Sequence, residues 1–344
     1  MSIFYYDTKK IYASRFDALV NSTEIHNLRF YYYDNIFSQF DWSVEPRESL
    51  SQLYRERAEY IRDNFDYIVL CYSGGIDSTN VLETFYYNNI HIDEILISGA
   101  FSQDKNSDSD ENCNIEIYKN AFPLLNKLNL RDTVINVIDY TKHFDDPNEF
   151  SLLHRGDDWS RVIGTHLSPR FLFWADVHKY INNKSDCKVG IIFGIEKPIL
   201  NFGKIVSTKF YDTGCMSYGR NNTLSPINGI TSINFYTDSN TPRLISKQCH
   251  LIKKVYENSS NKTWFRRNYT LIIEKIVYNV KNKPQYKSPK STNFLLSNRD
   301  HYMMNNRNEE IFKEYSAGID YIKKTTKIDS FLNTSINSRE YKIG

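Results

Sequence analysis

Tyr67-Ile68-Val69-Leu70-Cys71-Tyr72-Ser73-Gly74-Gly75-Ile76-Asp77-Ser78-Thr79 is the stretch that decides the fold. An apolar run of strand type ends at Tyr72, a turn with two adjacent glycines follows, and Thr79 to Tyr87 reads as a helix. A strand, a Gly-bearing turn and a helix start leave unpaired backbone N–H groups around a small concavity, and the helix dipole adds positive potential there. Such a nest suits phosphate. Gly74 and Gly75 let the backbone approach an anion closely, and the hydroxyls of Ser73 and Ser78 are further candidate donors. Asp77 is the odd member, because a carboxylate beside phosphate repels it unless a divalent cation bridges the two. Asp77 is therefore a candidate magnesium-side residue.

Outward from this junction, apolar segments alternate with helical ones. Ile68 to Tyr72, Glu94 to Ser98, Val134 to Ile138 and Val189 to Phe193 read as strands. The alternation predicts an α/β fold with a parallel sheet and helices on both faces. Ligands of such sheets sit at the carboxyl ends of the strands, near the point where strand order reverses. Ser98, Gly99 and Ala100 end the second strand and Gly194, Ile195, Glu196 and Lys197 the fourth, so both ends are expected to face the crevice of the loop. Glu196 and Lys197, an acid and a base after a buried strand, read either as magnesium ligand and charge neutraliser or as an ion-paired surface turn. Before the sheet, Leu50, Leu53, Tyr54, Tyr60 and Ile61 recur near helical spacing and predict an amphipathic helix beside it.

The loop lacks the Lys of a Walker sequence and the three spaced glycines of a dinucleotide fingerprint. Ser73-Gly74-Gly75-Ile76-Asp77-Ser78 resembles the SGGxDS loop of the PP-loop ATP pyrophosphatases, the superfamily of asparagine synthetase, NAD synthetase, GMP synthetase and the tRNA lysidine and thiolation enzymes. The resemblance implies a five-stranded parallel sheet of the adenine nucleotide alpha hydrolase type, with ATP and Mg2+ as cofactors. It implies nucleotide contacts from Tyr72, Ser73, Gly74, Gly75, Ile76, Asp77, Ser78, Ser98, Gly99 and Gly194, magnesium contacts from Asp77 and Glu196, and catalytic roles for Asp77 and Lys197. For Ser98 and Gly99 a plain strand terminus is the competing reading.

Within the superfamily the order Ile163 to Phe171, a helix, then Val189 to Lys204 is most similar to the synthetase domain of asparagine synthetases. Arg170, just after Pro169 at a helix start, is a candidate carboxylate- or phosphate-binding residue, or simply exposed. The chain departs from that branch at Gly194-Ile195-Glu196-Lys197-Pro198, where a base stands for one acid of an Asp-Glu pair, so aspartate is not carried over as substrate. Position 2 is Ser rather than a nucleophilic Cys, and no glutaminase domain is expected. The implied activity is an AMP- and pyrophosphate-forming ligase that activates a carboxylate or carbonyl of a small-molecule acceptor for attack by an amine, by free ammonia or by ammonia from a separate donor. Two alternatives stay open: a lysidine-synthetase-like enzyme acting on tRNA or a nucleobase, and an inactive nucleotide-binding module.

Composition bounds these readings. The chain has 344 residues, 40% hydrophobic and 24% charged, with a mean hydropathy of −0.54. No apolar run approaches the roughly 20 residues that span a bilayer, and the N-terminus lacks the pattern of a signal peptide. A cytoplasmic protein without a membrane partner is expected. Cys71, Cys113, Cys187, Cys215 and Cys249 form no C-x-x-C pair, which speaks against structural zinc and sulfur transfer through paired thiols. The single histidines show no metal spacing.

Charge divides the chain. Residues 241–344 hold 20 Lys and Arg against 9 Asp and Glu, a surplus of +11, and the preceding residues carry −9. Solvated basic helices are the simpler reading, and a tRNA-binding surface is the alternative. The expected organisation is an N-terminal, partly helical extension over 1–62, an ATP-binding α/β domain over 63–240, and a basic, mainly helical region over 241–344.

Overall fold

The computed structural model describes residues 3–12, 15–23, 25–99, 101, 112, 114–139, 187–195, 197–212, 229–287 and 336–344, with 313, 317, 320 and 324. In chain order the first elements are β1 (Ile3–Tyr6), β2 (Ile11–Tyr12), α1 (Arg15–Asn21), β3 (Arg29–Tyr32), α2 (Asp34–Phe37) and α3 (Leu50–Asn64). The chain then enters the sheet: β4 (Tyr67–Cys71), α4 (Ile76–Tyr87), β5 (Glu94–Gly99), a π-helical turn (Ile117–Ala121) running into α5 (Phe122–Lys127), β6 (Val134–Asp139) and β7 (Val189–Phe193). A hairpin of β8 (Ile199–Phe202) and β9 (Val206–Lys209) precedes β10 (Ile230–Asn234). The helices α6 (Pro242–Asn258), α7 (Lys262–Arg267) and α8 (Tyr269–Val277) follow, with β11 (Tyr341–Lys342) at the end.

The central sheet has five parallel strands in the order β10-β7-β4-β5-β6. Four of them stand where the apolar runs predict, to within a residue. Every residue of β7 is buried, as are Ile68, Val69 and Leu70 of β4, which is what strands covered on both faces require. β10, Ile230-Thr231-Ser232-Ile233-Asn234, completes the sheet and carries no continuous apolar run.

α3 forms where the periodicity places it. Its N-cap Ser49 accepts a hydrogen bond from the Gln52 amide, and Leu53, Tyr54, Ala58 and Ile61 are buried. Tyr60 is the exception to the expected face and is exposed. Arg57 takes that face instead, buried with its guanidinium bonded to the Asn234 and Phe235 carbonyls and to Asp238. An Arg inside an apolar stripe is satisfied here because the end of β10 offers carbonyls and a carboxylate together.

The flanks contain sheet as well as helix. β2-β1-β3 is an antiparallel sheet whose inner face buries Tyr5, Tyr12, Phe30 and Tyr32. β11 pairs with β9, the Tyr341 hydroxyl donates to Asp34, and the Phe30 amide donates to the Asn337 carbonyl, so the C-terminal strand ties the N-terminal sheet to the β8–β9 hairpin. α6 packs through Leu244, Ile245, Cys249 and Ile252, a helical stripe. No helix among the described residues is long and apolar enough to cross a membrane.

Candidate functional site

Strand order reverses between β4 and β7: from β4 the chain moves outward through β5 and β6, then returns to the other side of β4 for β7 and β10. A crevice opens at the carboxyl ends of strands at such a point. Residues 72–75 leave β4 into α4, and Gly194, Ile195, Lys197 and Pro198 follow β7, so both segments flank this crevice.

Local chemistry explains the loop. Gly74 has φ +78, a left-handed backbone that glycine adopts without strain, and a Cβ there would lie 2.5 Å from the Glu116 carbonyl oxygen. Gly75 is the N-cap of α4 and supplies no side-chain cap, which leaves the first-turn N–H groups without a side-chain acceptor. The Ser73 amide donates to Ser78 Oγ at 3.3 Å, the two serine hydroxyls lie 3.1 Å apart, and Ser78 Oγ donates to the Gly75 carbonyl at 3.1 Å. The serines thus brace the loop from within. Gly194 meets the loop from β7, and a Cβ on it would lie 2.9 Å from the Ser78 nitrogen. Only a glycine lets the two backbones approach this closely.

The charged part of the site spans three distant segments. Lys197 Nζ donates to Asp77 Oδ2 at 2.7 Å and lies 3.8 Å from a Glu274 oxygen, while Lys287 meets the other Glu274 oxygen at 2.9 Å. Charges alternate along this chain from the loop to α8. Asp77 Oδ1 and the Tyr278 hydroxyl are both buried and neither makes a hydrogen bond of good geometry, although the two groups lie close enough for the Asp77 carboxylate to help hold the phenol proton. Around Asp77 stand Tyr236, whose hydroxyl donates to the Asp77 carbonyl at 2.8 Å and accepts from Asn80, and Tyr278, whose ring faces Lys197. Burial first, and then the Asp77 charge and neighbouring phenols, hold the Tyr278 phenol well above its ordinary pKa; burial and Tyr54 do the same for Tyr236. These phenols stay protonated at neutral pH.

An orphaned buried carboxylate oxygen costs free energy unless a cation or donor reaches it. Asp77 Oδ1 therefore fits a divalent cation, and the open first-turn amides beside it fit the phosphates such a cation accompanies. Among the described residues no group of three or more His, Cys, Asp and Glu converges, so a cation here would take most of its ligands from phosphate and water.

Ser73, Gly74, Gly75, Ile76, Asp77, Ser78, Gly194 and Lys197 come together at the crevice. Ser98 and Gly99 end β5 next to β4, where the Tyr72 amide donates to the Leu96 carbonyl. Tyr72 itself is turned inward, its hydroxyl 3.2 Å from Thr79 Oγ1 and its phenol pushed up to about 12, chiefly by burial. Glu196, Arg170, Ala100 and the acidic stretch 104–111 lie outside the described residues, as does the 163–171 segment. Glu274, Tyr236 and Tyr278 join the site without a local signal, since their positions in the sequence look like ordinary helix and loop residues. Comparison with protein-family models, with curated proteins and with solved structures finds no match for this chain.

Proposed function

We propose that this chain is a PP-loop enzyme of the ATP pyrophosphatase type, an AMP- and pyrophosphate-forming ligase that activates a carboxylate or carbonyl for attack by an amine or ammonia. The observation that carries the reading is the Asp77–Lys197 pair, which joins the phosphate-loop helix to the end of β7 across the switch point of the sheet. The SGGxDS sequence and the parallel order of the strands support it.

In this reading the first-turn amides of α4 hold the departing pyrophosphate, with the loop kept in shape by the bonds between Ser73 and Ser78. Asp77 holds the cation through its unpartnered oxygen, and Mg2+, when bound, supplies neutralisation between that carboxylate and the phosphates. Lys197 stabilises negative charge on the phosphates, and Glu274 keeps the ammonium on the β7 side of the crevice. Tyr236 and Tyr278 close the floor to water.

The test is mass spectrometry of adenine nucleotides after incubating wild type and Asp77→Ala with ATP, magnesium, ammonium and a pool of amino acids and tRNA. AMP and pyrophosphate from the wild type alone support the ligase. Unchanged ATP in both, with ATP still bound, would leave a nucleotide-binding module. A tRNA-dependent AMP yield would favour the tRNA-modifying alternative.

A further inference from the structure

A strap, residues 278–287, leaves α8 at Tyr278 beside Asp77 and crosses α4 at Glu83. Two buried side chains hold it. Glu83 accepts hydrogen bonds from the Lys281 amide at 2.5 Å, the Asn282 amide at 2.8 Å and the Asn282 side chain at 2.7 Å. Asn120 Oδ1 accepts from the Gln285 and Tyr286 amides, both at 3.2 Å, and its Nδ2 donates to the Tyr286 carbonyl at 2.8 Å and to the Gly74 carbonyl at 3.2 Å. The strap is therefore a fixed wall.

Between this wall and the π-turn with α5 lies a cleft of about 570 Å³, a size typical of small-molecule sites. Its floor is Tyr72 and Thr79. Lys119 and Lys127 line it from the helical side, Lys281 and Lys283 from the strap, and among the described residues that line it none is Asp or Glu. None belongs to the loop 73–78 either, so it is separate from the nest at the start of α4. Lys127 Nζ donates to Asn282 Oδ1 at 2.6 Å, and Lys281 Nζ stands 3.5 Å from the centre of the Tyr87 ring. Behind the strap, Glu83 has its oxygens occupied by the strap's N–H groups.

The positive charges that Lys127, Lys281 and Lys283 bring to one cleft from both walls repel one another, and a strap anchored at Glu83 and Asn120 cannot swing away to separate them. A bound multivalent anion reverses that energy and takes several charge-assisted hydrogen bonds at once. We propose that this cleft is a second anion site, distinct from the loop, that takes a compact oligophosphate. The proposal stands whether or not the loop turns ATP over.

The experiment is calorimetric titration of the full chain with inorganic tripolyphosphate, with citrate as a non-phosphate polyanion. Gly75→Asp removes the loop as a site: its φ accepts a side chain, Asp is a good N-cap, and its carboxylate repels phosphate there. Lys127→Gln/Lys283→Gln takes one charge from each wall at exposed positions, and circular dichroism checks both folds. Tripolyphosphate binding kept in Gly75→Asp and weakened about tenfold or more in the lysine variant is expected, with citrate weaker than tripolyphosphate. Binding lost in Gly75→Asp, unchanged in the lysine variant, or absent from wild type would each overturn the proposal. Citrate binding as tightly would overturn its phosphate specificity.

Discussion

Two carboxylates on α4, a partly buried Asp77 and a buried Glu83, are satisfied differently. Asp77 meets the Lys197 ammonium at 2.7 Å and keeps its second oxygen without a hydrogen bond of good geometry among tyrosines. Glu83 spends its oxygens on three N–H groups of the strap. A fully bonded carboxylate is structural: it fixes one arrangement of the chain. A half-bonded one retains capacity for a ligand, which is why Asp77 and not Glu83 is placed in the candidate site.

The largest effect is expected at the turn that precedes both. Gly74→Ala puts a Cβ into a left-handed backbone and 2.5 Å from the Glu116 carbonyl. Strain and overlap together should cost about 3 kcal/mol or more, and the Asn120 bond to the Gly74 carbonyl should loosen the strap as well. Urea unfolding measures the first effect and amide exchange over 281–287 the second. A stability within about 1 kcal/mol of wild type would show that the turn relaxes freely.

Glu83→Gln comes next. It removes the charge that three donors converge on and presents an NH2 group to at least one of them, so a loss of about 2 kcal/mol is expected. The strap amides of Lys281 and Asn282 should then exchange faster while those of β4 stay protected. Equal loss of protection in both would mean that Glu83 supports the whole sheet and that the contrast between the two carboxylates is misdrawn.

Alkaline pH probes the surroundings of Asp77 selectively. The folded phenols of Tyr236 and Tyr278 have pKa values raised above the unfolded value, so their contribution is fully present below about pH 10 and is lost as pH rises through the folded values. The urea midpoint should therefore fall above about pH 10. The fall should be smaller in a Tyr236→Phe/Tyr278→Phe variant.

Lys197→Met is the gentler test of the ion pair. Asp77 and Lys197 retain 33% and 15% side-chain exposure, so screening limits the loss to about 1 kcal/mol at neutral pH. The difference from wild type should shrink at high salt, which screens the pair. A difference that persists at high salt would assign Lys197's role to packing on Tyr278.

Legibility in the sequence follows the same division. The loop, the ends of β4 and β7 and the buried run Val189 to Phe193 are local patterns, and each depends on neighbours a few residues away. β10 was not legible, because Thr231 and Ser232 interrupt its apolar pattern and its partner β7 lies about forty positions earlier, joined through parallel pairing that leaves no turn signature. The same holds for Arg57, a charged residue whose burial only the carbonyls at the end of β10 account for. Glu274, Tyr278 and the strap come from a helical, basic region whose periodicity identifies helices but not what they touch. Asp77 reads as chemistry from sequence because its neighbours are local; its partners do not, because tertiary packing alone brings them within reach.

The smallest predicted effect discriminates best between the two kinds of carboxylate. Tyr278→Phe deletes a buried hydroxyl that makes no hydrogen bond of good geometry, although it lies beside the Asp77 carboxylate. Removing one poorly bonded polar atom from a buried setting should leave stability unchanged or raise it by up to about 1 kcal/mol. A loss of that size instead would mean that the phenol donates to Asp77 Oδ1, that both carboxylates of α4 are saturated, and that a cation must displace a hydrogen bond to reach Asp77. In that event Tyr278→Phe should also tighten magnesium binding at the loop, since the competing donor is gone. If stability is unchanged, magnesium affinity should be unchanged too, and the open oxygen is available to the cation at no cost in protein contacts.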